Sequence, residues 1–112
     1  MIDLNVLREF GADVDAGLAR CLKKEDFYYK MLNICLSDER FEKLKGLLES
    51  KDYDAAFETA HALKGVLANL GLTPIYEPIS QMTEFLRART DMDYMPLYGQ
   101  MKAQYDKLLS YK

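Results

Sequence analysis

A chain of 112 residues, 49% apolar and 29% charged, is long enough for one domain with a single hydrophobic core and too apolar to be disordered. A net charge of −3 and a pI near 5.1 argue against a general nucleic-acid binder. No apolar run approaches the length of a membrane span, and Cys21 and Cys35 with a single histidine cannot complete a zinc set.

The periodicity predicts helices throughout, with no sustained two-residue alternation. MIDLNVLREF carries early acids and no long apolar stretch, so it does not read as a signal peptide. Asp3 caps a first short helix that stops at Gly11, and Asp13 caps a second over 14–22. A longer helix from Lys24 to Leu36 is expected to turn Phe27, Met31, Ile34 and Cys35 inward. Both cysteines then read as buried, reduced thiols of a cytosolic protein. Ser37 or Asp38 starts the next helix, with Phe41, Leu44, Leu47 and Leu48 on one face.

Asp52 caps the helix that ends at Gly71. Thr73-Pro74 forms an N-cap and first-turn pair. Pro78 lacks a donor and crowds the preceding turn, so an irregular or kinked start is expected before a regular helix over 78–89. Thr90 to Asp93 opens the last helix, with Pro96 in its first turn and Tyr94, Leu97, Tyr98, Met101, Tyr105 and Leu108 inward. Short connections between amphipathic helices predict an all-α protein: an antiparallel four-helix bundle with additional short N-terminal helices, one domain over 1–112.

The helix between Asp52 and Gly71 carries His61. With Leu63 set at zero and about 100° per residue, Ala56, Ala60, Leu67 and Leu70 fall within about 60° of it and form the core stripe. His61 falls about 160° away, on the wet face, with Glu58, Gly65 and Ala68; Lys64 lies on the shoulder of that face. His61 and Lys64 are an i, i+3 pair whose side chains can reach one ligand group. A phosphoryl group on the imidazole would be negatively charged, and an ammonium beside it offsets that charge. Gly65 costs roughly 1 kcal/mol relative to Ala in a helix interior but leaves space beside the ring. Ala68 keeps the next turn low, so a partner protein can come close. The bland reading is a solvated histidine beside a solvated lysine, and helical glycines at Gly17, Gly46 and Gly99 weaken the argument from Gly65 alone.

At these residues the chain resembles a known family. HALKGVLANLG has the H-x-L-K-G pattern followed by a glycine six residues later, as in histidine-containing phosphotransfer (HPt) domains. His61, Leu63, Lys64, Gly65 and Gly71 hold the motif positions, with Asn69-Leu70 before the last glycine. The likeness extends over about residues 24–110. Three features depart from the family pattern: Val66 where many members have a small polar residue, Pro78 in the following helix, and a break around 36–41 in a helix that is often continuous.

The resemblance implies a phosphoryl carrier in a two-component phosphorelay. His61 would be the nucleophile and phosphoacceptor, through Nε2, and Lys64 would stabilise the phosphoryl charge. Gly65 and Ala68 would admit the receiver's loops. The implied partners are response-regulator receiver domains and a hybrid sensor histidine kinase, with no nucleic acid and no membrane. No cofactor is expected in this chain; magnesium would sit on the receiver. Without a glycine-rich nucleotide loop the chain is not expected to phosphorylate itself from ATP, so it reads as a cytoplasmic carrier and not an enzyme. The main alternative is an HPt-like helical adaptor, never phosphorylated, that binds receiver or kinase domains. A hydrolase using His61 as base lacks a serine or cysteine on the same face.

Overall fold

The computed structural model describes residues 2–112. Among the described residues there are seven helices and no strand: α1 (Leu4–Phe10), α2 (Val14–Arg20), α3 (Glu25–Leu36), α4 (Arg40–Glu49), α5 (Tyr53–Leu70), α6 (Thr73–Arg87) and α7 (Met95–Leu109). Among the described residues no helix is long and apolar enough to cross a membrane.

Helices α4 to α7 form the bundle. Each packs on its neighbour in the chain through a short connection, which makes successive helices antiparallel. The fourth side closes where the Phe41 and Tyr105 rings meet at 4.8 Å and Tyr98 Oη donates to the Phe41 carbonyl at 3.0 Å. Leu44 and Leu48, Leu63 and Leu67, Ile79 and Met82, and Met101 and Leu108 are buried between the four helices. Thr59 and Thr83 are also buried; each satisfies its hydroxyl on the carbonyl four residues back, Ala55 and Ile79 respectively.

Three predicted aspartate caps form. Asp3, Asp13 and Asp52 each accept from a backbone N–H three residues on. Asp38 accepts from the Arg40 N–H and from its guanidinium, so the chain breaks at 37–39 and restarts as α4. That pairing, chiefly the side-chain hydrogen bond from Arg40, holds the Asp38 carboxyl below its ordinary range.

Four expectations are corrected. Phe27 and Ile34 do not face inward: they are 47% and 54% exposed. Tyr28, Leu32, Cys35 and Leu36 are buried instead, because α3 presents to α5 the face that carries Tyr28. The second helix stops at Arg20, not at residue 22, because Leu22 and Lys23 take left-handed φ values of 58° and 59°. Cys21 therefore sits at its C-cap, buried. Finally, α6 runs unbroken from Thr73, with Leu72 and not Thr73 at the N-cap and with Pro78 inside it. Pro78 forfeits one hydrogen bond near the helix start, but its ring is buried in the core and the helix continues.

The short N-terminal helices lock the far end of α5. Gly71 has φ +71° and lets α5 close on two bonds, Gly71 N–H to the Ala68 carbonyl and Leu72 N–H to that of Leu67. Three donors from outside the helix take carbonyls of its last turn: Arg20 binds that of Ala68, Tyr28 Oη that of Leu70 at 2.8 Å, and Asp13 N–H that of Gly71 at 2.8 Å. The approach is close enough that a Cβ on Gly71 would lie 2.2 Å from the Asp13 carbonyl oxygen, and one on Gly17 2.6 Å from that of Leu70. Burial pushes the Cys35 thiol up to about 12, which makes it inert at neutral pH.

Candidate functional site

Helix α5 is the central element, in contact with α2, α3, α4 and α6. Ala56, Ala60, Leu63, Leu67 and Leu70 are all buried, as the helical spacing requires. Their burial fixes the rotation of the helix and turns His61 outward, where it is exposed. Gly65 is exposed in the turn above, and a Cβ placed on it would meet nothing within 4 Å. The glycine is not required by packing or by its backbone angles. Lys64 is half-buried on the shoulder of the same face, and among the described residues no carboxylate pairs with it. Ala68 is also half-buried, with the Arg20 guanidinium held against its carbonyl.

Below His61 the structure adds residues that the sequence did not single out. The imidazole stacks on Phe57, one turn earlier, with ring centroids 5.7 Å apart and planes 20° from parallel. The guanidinium carbons of Arg87 and Arg89 each lie 5.0 Å from the centre of the Phe57 ring. Arg89 is held at several points: Nε to Asp54 at 2.6 Å, Nη1 to the Leu86 carbonyl at 2.7 Å, and a backbone φ of 54°. Arg87 pairs with Glu84 at 3.3 Å, both largely exposed. Phe57 lies at i−4 from His61, a spacing visible in the sequence. Arg87 and Arg89 reach it only because α6 folds back antiparallel to α5, which no local pattern shows.

The result is an exposed imidazole with open space at Gly65 beside it, Lys64 on the shoulder of its face, Arg87 and Arg89 against the Phe57 ring on which it stacks, and Arg20 two turns on at the Ala68 carbonyl. The family model for the Hpt domain matches residues 36–111. The chain belongs to the Hpt-domain family. No curated protein and no solved structure matches it. Hpt domains are phosphocarriers of two-component signalling that work with receiver domains and histidine kinases, and the helical bundle seen here is their fold. In this Hpt domain the matched segment covers α4 to α7; α1, α2 and most of α3 lie outside it, and of these α2 and α3 pack on the helix that carries His61 while α1 packs on α2.

Proposed function

We propose that this Hpt domain relays a phosphoryl group between receiver-domain aspartates through His61. The observation that carries the reading is the outward exposure of the sole histidine beside an unfilled Gly65. The Nε2 lone pair of the neutral imidazole attacks the phosphorus of a receiver aspartyl phosphate in line. The N–P bond forms as the P–O bond to the aspartate breaks, and the electron pair leaves with the carboxylate. The return step to a second receiver reverses this. Magnesium belongs to the receiver, whose acidic pocket binds it.

In this reading Lys64 offsets charge on the phosphoryl oxygens. Gly65 and Ala68 leave room for the receiver's loops. The two free, buried cysteines support a reducing, cytoplasmic setting.

The test mixes the protein with a phosphorylated receiver and follows both chains. A carrier takes the label and passes it to a second, unphosphorylated receiver. Stable complex formation without transfer of label would favour the adaptor alternative and overturn this reading.

A further inference from the structure

A nucleophile on a long, exposed side chain loses effectiveness if it samples several rotamers, and the surroundings of His61 address this. We propose that Phe57 is a positioning residue for His61: it holds the imidazole plane in one orientation, and Arg89 in turn fixes Phe57. This rests on the relay reading above. Side chains on a helix lean towards its N-terminus, so a ring at position 61 settles over one at position 57. The observed offset stack, 5.7 Å and 20°, lies within the range that aromatic pairs favour. Phe57 is half-buried against the core, and the two guanidiniums, each 5.0 Å from its centre, restrict it further. Arg89 can act as a clamp because Asp54 and the Leu86 carbonyl hold its guanidinium in place.

A free histidine on a helix has two main χ1 wells and a roughly two-fold χ2, about four states. If one state aligns Nε2 for attack, loss of the stack lowers the competent fraction, and with it the labelling rate, by about two- to four-fold. Phe57→Leu keeps an apolar side chain but removes the flat face; Phe57→Tyr keeps the face. The sole imidazole gives an unambiguous pair of carbon-bound proton resonances, which a ring stacked on them shields.

The experiment measures those resonances, the labelling rate with a phosphorylated receiver, and a thermal melt for the three proteins. Phosphoramidate, which gives its phosphoryl group to the imidazole with release of ammonia and can meet the ring in any orientation, is the control whose rate should stay near wild type. The expected result is a wild-type-like Phe57→Tyr, and a folded Phe57→Leu whose imidazole protons move downfield while labelling from the receiver slows by about two- to four-fold. Unchanged resonances, or an unchanged receiver rate, in folded Phe57→Leu overturns the positioning role. Should that variant not fold, the wild type decides: a nuclear Overhauser contact between the Phe57 and His61 rings is expected, and its absence overturns the stack. Failure of the wild type to label at all overturns the relay reading, which separates that failure from the failure of the Phe57 inference.

Discussion

Gly65→Gln separates docking from stability. Gly65 lies in the interior of α5, and a Cβ there meets nothing within 4 Å. Nothing in the folded chain resists a side chain at this site. Replacing Gly by a good helix former gains about 0.6 kcal/mol. With an unfolding entropy of about 2.1 cal/mol/K per residue, that raises the melting temperature of a 112-residue chain by about 2–3 °C. A receiver approaching His61 must order the glutamine, at about 0.5–1.5 kcal/mol, and desolvate its amide, at about 1–3 kcal/mol. The sum predicts at least a tenfold fall in receiver-driven labelling. Gly46 on α4 and Gly99 on α7 are matched controls, because a Cβ on either also meets nothing within 4 Å. Gly46→Gln and Gly99→Gln should gain similar stability and transfer normally. The assay pairs a melt with labelling rates from a phosphorylated receiver and from phosphoramidate. Normal receiver transfer in a stabilised Gly65→Gln would refute the close-approach role, and equal loss with both donors would mean damage to the imidazole itself.

Lys64→Ala should keep the fold and slow transfer by less than about tenfold, since a charge-assisted contact of about 1.5–3 kcal/mol is reduced by solvation; rate and phosphohistidine lifetime both equal to wild type would leave Lys64 without a role. Gly71→Ala should lose about 2–4 kcal/mol in urea denaturation, from the left-handed φ and the Cβ 2.2 Å from the Asp13 carbonyl oxygen; a loss below about 1 kcal/mol would contradict the close approach of the N-terminal arm. Asp38→Asn tests the break between α3 and α4. Because Arg40 depresses the Asp38 carboxyl, its contribution is present above the unfolded value of about 3.9 and is lost as pH falls through the folded one. The variant should be less stable by about 1 kcal/mol at pH 7, and the gap should close below about pH 4; a gap independent of pH would refute the pairing.

The bundle was legible because its helices carry strong local signals. Asp3, Asp13 and Asp52 sit where a cap must, and the stripe from Ala56 to Leu70 has one orientation that buries it. The same stripe turned His61 outward without any tertiary information. Sequence reasoning misjudged α3, where Phe27 and Ile34 are as apolar as the buried residues and only the packing of Tyr28 against the end of α5 chooses the face. It also overrated Pro78: the lost bond and the crowding of the preceding turn do not break α6, and the core accepts the proline ring. The cations beside Phe57 were illegible because Arg87 and Arg89 come to it from the last residue of α6 and the turn after it. So too was the second use of Gly71: its helix-ending angle is a local signal, but the contact with Asp13 is not.

The central claim is that His61 alone carries the phosphoryl group. Intact-mass measurement at neutral pH, after incubation with a phosphorylated receiver, tests it most directly. The account predicts the addition of one phosphoryl group, labile in acid and stable in alkali, and none on His61→Gln with its helical content unchanged. The side chain is exposed, so that substitution removes the nucleophile without disturbing the core. A phosphoryl group retained on folded His61→Gln, or a wild type that never gains one from any receiver, would contradict the account.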